Sequence, residues 1–365
     1  MGSALGVIIA HDCRSRRAPA GFRDTATAMQ SALDRKLLVV TGKGGTGKTT
    51  IAAALGLLSA ARGRRTIVVE VGEESRLPSL FGIGSARPGV ETRLQEGLSS
   101  ISIDPDRALR EWLQVLGGRV PGRVLASSGT FQYFTAAAPG ARELVTMVKV
   151  WQLTQGGGRR GRSAGYDLVV LDAPATGHAL GMLGSPRTFG AIARVGPIAG
   201  QTRQLQELLE SPARSAYLAV ALATEMAVTE ALELQDGLRA RLGRGLEAVV
   251  VNALLPRRFT APEMRRILSL GDAARGERTS GAGPPSHGPL DDGASGDADV
   301  DQRQAVTASA VHAARAVHER SRLQHNQLAR LRRRSFDVIA VPYMWGAELD
   351  LVAVGAIAKR LEHKL

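Results

Sequence analysis

The sequence predicts an α/β fold in which helices cover both faces of a mostly parallel, doubly wound sheet. Three observations support this prediction. Apolar runs of strand length alternate with stretches of helical periodicity along most of the 365 residues. Several runs are apolar at consecutive positions, which is typical of strands that are buried on both faces. A glycine-rich turn joins the first run to an Ala- and Leu-rich helix, as at the start of a βαβ unit.

The expected strands, in chain order, are residues 36–40, 65–71, 100–103, 166–171, 216–222, 246–251 and 338–341. Each is a short apolar run of a length that suits a strand better than a helix. The first helix is expected from Thr49 to about Ala61, because Gly63 then provides a terminator. A long helix is expected late in the chain, from about Gln302 to Arg333.

Two helical stretches interrupt this alternation, at about 106–160 and 180–212, and we interpret them as a helical subdomain inserted into the sheet domain. The segment at about 272–299 is rich in Gly, Ser, Pro and Asp and has almost no large apolar residue, which predicts a disordered loop. Residues 1–34 are expected to form a disordered extension. One domain therefore covers residues 35–365.

The chain carries 47 Lys and Arg against 34 Asp and Glu, a net charge of +13. Because the arginines are scattered along the chain, we expect a solvated basic surface and no specific nucleic-acid partner. No apolar run approaches the roughly 20 residues of a membrane span, so no stable membrane insertion is expected. The segment 349–365 is expected to be a final helix packed on the sheet, with a membrane-surface helix as the alternative.

The chain has a single cysteine, Cys13, which excludes an intrachain disulfide and a metal site built from several thiolates. A thiolate zinc site is therefore not expected. The low cysteine content indicates a reducing compartment, and we expect the protein to be cytoplasmic.

Residues 42–49, Gly-Lys-Gly-Gly-Thr-Gly-Lys-Thr, match the phosphate-binding loop G-x-x-x-x-G-K-[ST] between a strand and a helix, which predicts a P-loop NTPase. The glycines let backbone N–H groups converge on phosphate oxygens, and the helix N-terminus adds partial positive charge. Lys48 is expected to reach the β- and γ-phosphates, and the Thr49 hydroxyl is expected to ligate Mg²⁺. The expected nucleotide-binding residues of this loop are Gly42, Gly44, Gly45, Thr46, Gly47, Lys48, Thr49 and Thr50.

Asp172 ends an apolar strand and precedes the turn Ala-Pro-Ala-Thr-Gly at 173–177. A carboxylate at the carboxyl end of a parallel strand lies at the sheet edge where ligands bind, and it can hold Mg²⁺ through its water shell. We therefore expect Asp172 to act on the metal together with Thr49, with a helix cap as the alternative. Thr176 and Gly177 are candidates for a loop that responds to the γ-phosphate.

The segment 43–50 contains a second lysine, Lys43, and resembles the deviant phosphate loop of a group of dimeric P-loop ATPases. The segment 172–178, Asp-Ala-Pro-Ala-Thr-Gly-His, resembles switch II of the ArsA family, which includes anion-pump ATPases and tail-anchored-protein-targeting ATPases. Further similarity lies at 101–105, 138–140, 223–230, 249–252 and 341–342. The resemblance is closest to the single-loop actinobacterial-type branch of that family.

The resemblance implies an ATP-binding, Mg²⁺-dependent ATPase that acts as a nucleotide-driven switch, either as a homodimer or as a heterodimer with a related ATPase. It implies that Lys43 reaches across the dimer interface to the partner's nucleotide, so that Lys43, Lys48 and Asp172 form the catalytic set. It also implies that Asn252 hydrogen-bonds the adenine edge and that Pro342 lines the adenine pocket.

The resemblance further implies a client, and we expect a hydrophobic polypeptide handled by the helical insert. Family members that target tail-anchored proteins use a methionine-rich groove, because flexible thioethers accommodate varied apolar helices. The insert here contains only Met147 and Met182, so a self-packed helical lid is the alternative. Arsenite binding through several thiolates is not expected with one cysteine.

Switch I departs from the family pattern, in which an Asp orients the attacking water. Gly72 occupies the position of that Asp within the sequence Glu-Val-Gly-Glu-Glu-Ser at 70–75. Glu70, Glu73 or Glu74 could substitute, and the sequence leaves open which of them does, if any. The missing Asp leaves one alternative, a non-hydrolysing nucleotide-binding partner of a second ATPase chain. The basic surface leaves another, a MinD- or ParA-like positioning ATPase acting on DNA or membrane.

Overall fold

The computed structural model describes residues 30–116, 140–155, 165–192, 197–280, 294–345 and 350–362. Its strands are β1 Leu37–Gly42, β2 Thr66–Val71, β3 Thr92–Gln95, β4 Leu98–Ile103, β5 Leu168–Ala175, β6 Ser215–Leu222, β7 Ala248–Leu254 and β8 Asp337–Pro342. They form one sheet in the order β3-β4-β2-β5-β1-β6-β7-β8. Every neighbouring pair is parallel except β3 and β4. The predicted mostly parallel α/β sheet is confirmed.

The sequence did not predict β3, which pairs antiparallel with β4 at the edge of the sheet. Gly97, with φ +72°, lies in the turn between the two strands. Only Leu94 of β3 is buried, and the other three residues are polar. A short edge strand of this kind has no apolar run, which explains why hydrophobic patterning missed it.

The helices of the described residues are α1 Lys48–Ala61, α2 Leu77–Leu80, α3 Pro105–Leu116, α4 Ala141–Gln155, α5 Thr176–Ile192, α6 Pro197–Glu210, α7 Glu225–Leu242, α8 Ala261–Ser280, α9 Ala294–Leu331 and α10 Leu351–Glu362. They lie on both faces of the sheet. Side chains of α1, α2 and α10 pack into the core of one face, and those of α3 to α7 into the core of the other.

The two cores explain the uninterrupted apolar runs of the central strands. Successive residues of β1 alternate between them: Leu37 and Val39 belong to one core, and Leu38 and Val40 belong to the other. All four side chains are fully buried. Since burying one such side chain contributes roughly 1.5–3 kcal/mol, each core position in a central strand matters to stability.

The two predicted helical stretches correspond to α3, α4, α5 and α6, which share one hydrophobic core with the sheet. Met147 of α4 and Met182 of α5 are buried in that core. Neither methionine is therefore available to line an open groove. Residues 117–139 and 156–164 of the predicted insert lie outside the described residues.

Helix extends into both segments that we expected to be disordered. Within 272–299, α8 continues to Ser280 and α9 begins at Ala294, while residues 281–293 lie outside the described residues. The Ala, Arg and Glu residues around 273–278 are good helix formers, and α8 packs against α9, which outweighs the low apolar content. Both described ends of this segment are therefore helical, and the disordered loop stays a prediction.

The predicted disordered extension is also shorter than expected. Residues 30–33 form a helical turn in which Ala32 and Leu33 are buried in the core. Residues 1–29 of the extension, with Cys13, lie outside the described residues. The ordered domain therefore begins a few residues before the predicted boundary.

The final helix, α10, packs on the sheet domain as expected. Val354, Ile357 and Leu361 are buried in the same core as α1, and α10 contacts α1 directly. Val352 on the opposite side of the helix is 78% exposed. No helix among the described residues combines the length and apolar character needed to cross a membrane.

Two side chains of β6 tie the end of α6 to the sheet. The Ser215 hydroxyl donates to the carbonyl oxygen of Leu208 at 2.7 Å, and the Tyr217 hydroxyl donates to that of Leu209 at 2.6 Å. The last carbonyl groups of a helix lack intrahelical partners, so these bonds satisfy acceptors that would otherwise be buried and unpaired.

We expect Tyr217→Phe to lower the free energy of unfolding by about 1–2 kcal/mol, because it leaves the buried carbonyl of Leu209 without its donor. Tyr343→Phe is the matched control, since Tyr343 is 45% exposed and its loss of a hydroxyl should change stability little. Urea unfolding followed by circular dichroism measures both. Equal stability of the two variants would contradict the assigned role of the Tyr217 hydroxyl.

Candidate nucleotide-binding site

The phosphate loop lies between β1 and α1, as the sequence predicted, and its backbone requires glycine at two positions. A Cβ on Gly42, which has φ +143°, would lie 2.2 Å from the carbonyl oxygen of Val220 in β6. A Cβ on Gly47, which has φ +89°, would lie 2.4 Å from Nδ2 of Asn252. The loop therefore packs against the neighbouring strands β6 and β7 so closely that no side chain fits.

Three hydrogen bonds hold the loop in its conformation. The Thr46 hydroxyl donates to the carbonyl oxygen of Lys43 at 2.9 Å, and the Lys48 ammonium donates to the same oxygen at 3.3 Å. Nδ2 of Asn252 donates to the carbonyl oxygen of Thr46 at 3.0 Å. Lys48 therefore donates to a carbonyl oxygen of the loop itself.

Asp172 and Thr49, predicted from separate parts of the sequence, are in direct contact. The Thr49 hydroxyl donates to Oδ2 of Asp172 at 2.6 Å. The two residues meet because β1 and β5 are neighbours, with Val40 paired to Asp172, so that the phosphate loop follows immediately beside the end of β5. Oδ1 of Asp172 is buried and has no hydrogen-bond partner among the described residues.

Burial shifts the pKa values of both charged groups at this contact, and the neighbouring charges offset these shifts only in part. Burial raises the pKa of Asp172 to about 6, although the hydrogen bond from Thr49 and the charge of Lys48 act in the opposite direction. Burial lowers the pKa of Lys48, while the charges of Asp172 and Glu230 oppose that shift. Both groups are thus costly in their charged forms without a ligand.

The side chains around this contact fit a magnesium ion. Mg²⁺ prefers hard oxygen ligands, takes few from the protein and keeps several waters. The Thr49 hydroxyl and the Asp172 carboxylate are such ligands, and the unpartnered Oδ1 of Asp172 has capacity for a cation or its water. No cluster of three or more His, Cys, Asp and Glu able to hold a metal occurs in the described ranges, and the absence of zinc stays a prediction.

The second lysine of the loop, Lys43, is paired within its own chain. Its ammonium donates to Oε1 of Glu230, which lies on α7. The two side chains are 35% and 27% exposed, so the pair is at the surface of the site. The sequence assigned no role to Glu230, and only the order of the strands brings α7 beside the phosphate loop.

Switch I, the segment after β2, is held by Glu70. The Glu70 carboxylate is buried and accepts hydrogen bonds from the Ser75 hydroxyl at 2.6 Å, the Arg76 amide at 2.9 Å and the Leu77 amide at 3.3 Å. The Ser102 hydroxyl of β4 donates to the carbonyl oxygen of Gly72 at 2.6 Å. Glu70 therefore anchors the segment with its carboxylate.

Glu73 and Glu74 differ from Glu70, because both are exposed. Together with Lys48, Thr49 and Asp172 they line a cavity of about 500 Å³ that opens between switch I and the phosphate loop. Glu73 and Glu74 are thus the two glutamates of switch I whose carboxylates do not hold its backbone, and a role of any of the three in orienting water stays a prediction.

The residues expected to recognise adenine lie at the same edge of the sheet, at the ends of β7 and β8. Asn252 contacts the phosphate loop through Thr46, and its Oδ1 accepts from the amide of Ala253, which has φ +53°. Pro342 pairs with Leu254 across the two strands. Their contact with adenine stays a prediction.

The predicted turn at 173–177 is wrong, because β5 continues past Asp172 to Ala175 and α5 begins directly at Thr176. The Thr176 hydroxyl is buried and has no hydrogen-bond partner within the described part of the chain. Gly177 and His178 next to it are exposed. The segment expected to respond to the γ-phosphate is therefore the N-terminus of a helix packed in the main core.

Comparison with known proteins agrees with this geometry. The family model described as Anion-transporting ATPase matches residues 35–196, which include the phosphate loop and Asp172. The chain is also 31% identical over 250 residues to ATPase BagA of Mycobacterium tuberculosis, a match that covers 66% of this chain and 70% of that protein. The chain belongs to the anion-transporting ATPase family.

More distant members of the family match over shorter parts. The arsenical pump-driving ATPase of Acidiphilium multivorum is 26% identical over 242 residues, which cover 60% of this chain and 39% of that protein. ATPase GET3 of Paracoccidioides lutzii is 28% identical over 182 residues, which cover 47% of this chain and 50% of that protein. The resemblance noted from the loop and switch II is thereby confirmed at the level of the family.

We expect Asp172→Asn to stabilise the chain against unfolding when nucleotide and metal are absent. The pKa of about 6 lies above the ordinary Asp value, so between about pH 4 and 6 the folded state binds more protons than the unfolded state. The stability of the wild type, relative to the variant, should therefore fall as pH rises through that window.

Urea unfolding in the presence of a chelator, at pH 5 and at pH 7.5, measures this difference. The gain from Asp172→Asn should be larger at pH 7.5, by about 1–2 kcal/mol. The amide still offers an oxygen to the Thr49 hydroxyl, so the contact is retained. An equal gain at both pH values would contradict the assignment of Asp172 as a costly buried charge.

Proposed function

We propose that this chain binds Mg²⁺-ATP at the phosphate loop and hydrolyses it as a nucleotide-driven dimeric switch. The observation that carries the proposal is the 2.6 Å hydrogen bond between Thr49 and Asp172 beside Lys48. It joins the two halves of a magnesium and phosphate site that lie 123 residues apart in the sequence. Membership of an ATPase family supports the same chemistry.

The chain's own groups would act on the triphosphate by charge and by position. The N-terminus of α1 and the loop amides offer donors to phosphate oxygens, and Lys48 would move from the carbonyl oxygen of Lys43 to the β- and γ-phosphates. Thr49 and Asp172 would hold the metal, which neutralises charge on the phosphate oxygens when bound. Binding would therefore place opposite charges beside the buried Lys48 and Asp172 groups.

The dimeric part of the proposal rests on Lys43. A lysine that reaches a partner's nucleotide adds positive charge to the transition state, as an arginine finger does. Here Lys43 is paired with Glu230 of its own chain, so this ion pair would have to open when two chains associate. The associating chain is either a second copy or a related ATPase chain, and the proposal includes both arrangements.

Hydrolysis needs a group that orients the attacking water. Gly72 cannot do so, and Glu70 accepts three hydrogen bonds from switch I. The proposal therefore assigns this role to Glu73 or Glu74, which line the cavity and are exposed.

The proposed client is a hydrophobic polypeptide. The nucleotide site is connected through switch II to the helices that would bind this client. Switch II continues without a break into α5, and α5 packs against α4, α6 and α7. A movement at Asp172 would therefore be passed to the helical layer on that face. We place this activity in the cytoplasm, on the expectation from the low cysteine content.

A second function is favoured by the composition of switch I. Gly72 replaces the family's Asp. The alternative is therefore that the chain binds Mg²⁺-ATP without hydrolysing it and acts as the partner of a second ATPase chain. Steady turnover by the purified chain alone would exclude this alternative.

We expect Lys48→Ala to lower ATP turnover by about 100-fold or more, because the β- and γ-phosphates lose their main cation. Lys36→Ala is the matched control, since Lys36 is exposed and precedes the opposite end of β1. Phosphate release by the purified wild type and both variants measures the effect. Turnover that survives Lys48→Ala would contradict the proposed site.

We expect Lys43→Ala to lower turnover at least about tenfold under conditions in which the chain dimerises, and to leave it unchanged for the monomer. Mass measurement with ADP, with a non-hydrolysable ATP analogue and without nucleotide establishes the oligomeric state at each condition. A loss of turnover that does not depend on dimer formation would refute the role of Lys43 in the partner's site.

A further inference from the structure

The cavity beside the metal site has more negative than positive side chains. Its lining includes the carboxylates of Glu70, Glu73, Glu74 and Asp172 but only two cations, Lys48 and Arg76. A polyphosphate cannot enter such a cavity without positive charge to offset the carboxylates. Magnesium supplies part of this charge, and the two cationic side chains supply the rest.

Arg76 is placed in this cavity by the same carboxylate that holds switch I. Its amide donates to Oε1 of Glu70 at 2.9 Å, and the next amide, of Leu77, donates to Oε2 at 3.3 Å. Glu70 itself is paired with Asp172 in the register of β2 and β5. The backbone of Arg76 is thus fixed relative to the end of β5, while its side chain is exposed on the cavity side.

Two further observations concern the cavity wall that Arg76 helps to form. The cavity is bounded on one side by Lys48, Thr49 and Asp172, the groups assigned to the β- and γ-phosphates and their metal, and on the other side by switch I. Gly72 leaves that wall open, because a Cβ built on it meets no atom within 4 Å. The part of a nucleotide that extends past the metal would therefore meet Arg76.

The other cation of the phosphate loop, Lys43, is not in this cavity and is held by Glu230. Arginine differs from lysine in offering a rigid planar set of donors that matches two phosphate oxygens at once. A residue of this type, in the same cavity as Lys48, Thr49 and Asp172, would distinguish a triphosphate from a diphosphate.

We propose that Arg76 is a specificity-determining residue that contacts the terminal phosphate of a bound nucleoside triphosphate, so that the site prefers triphosphates to diphosphates. The inference rests on the proposed function, since it concerns the same nucleotide site. It assigns to switch I of this chain a cationic contact made in cis, separate from the contact that Lys43 would make in a dimer.

The test compares the wild type with Arg76→Ala, Arg76→Lys and the matched control Arg87→Ala, whose arginine is exposed on the following loop and does not line the cavity. Calorimetric titration with ADP and with a non-hydrolysable ATP analogue, both with Mg²⁺, gives the two affinities. We expect Arg76→Ala to weaken binding of the triphosphate analogue about tenfold and that of ADP less than twofold. Arg76→Lys should weaken the analogue by an intermediate amount, and Arg87→Ala should change neither.

Several outcomes would overturn the proposal. Equal effects of Arg76→Ala on both nucleotides, or no effect on either, would show that the arginine does not sense the terminal phosphate. If the wild type binds both nucleotides and Arg76→Ala keeps the same preference for the triphosphate analogue, this inference alone is refuted. A wild type that binds neither nucleotide would refute the proposed function, and this inference with it.

Discussion

The hydrogen bond between Thr49 and Asp172 is the contact on which the rest of the site depends. It exists because β5 is inserted between β2 and β1, which places the end of β5 beside the phosphate loop. In a parallel sheet all carboxyl ends lie at one edge, so groups far apart in the sequence converge there. Glu70 at the end of β2 and Asn252 near the end of β7 reach the same edge by the same rule.

The charges of two buried groups in the site, Asp172 and Lys48, are only partly compensated by their neighbours. Among the described residues Asp172 has one oxygen without a hydrogen-bond partner, and burial raises its pKa, while burial lowers the pKa of Lys48. A region that only had to be stable would pair or remove these charges, because uncompensated buried charges destabilise the folded state. The cost is offset once a dication and a polyphosphate supply opposite charges. The fold therefore positions Lys48 and Asp172 where such a ligand would bind.

The local parts of this site were predictable from the sequence and the contacts between its parts were not. Lys48 and Thr49 follow from a contiguous loop between a strand and a helix, and Asp172 follows from its place after an apolar run. The pairing of Lys43 with Glu230 depends on β6 lying next to β1, which no local pattern specifies. The edge strand β3 and the helical residues within 272–299 were missed because helix propensity and edge pairing leave little trace in hydrophobic patterning.

The order of the strands also explains how one ligand could act on both sides of the site. Switch I follows β2 on one side of the phosphate loop, and α7 with Glu230 follows β6 on the other side. Lys43 is held on the side of α7, whereas Arg76 is held on the side of β2 through Glu70. A polyphosphate bound between them would lie within the field of both cations. A change in its charge would therefore alter the electrostatic interactions of Lys43 and of Arg76 at the same time. Because Glu230 lies on α7 and Glu70 lies on β2, that change would reach both elements and would not remain local to the loop.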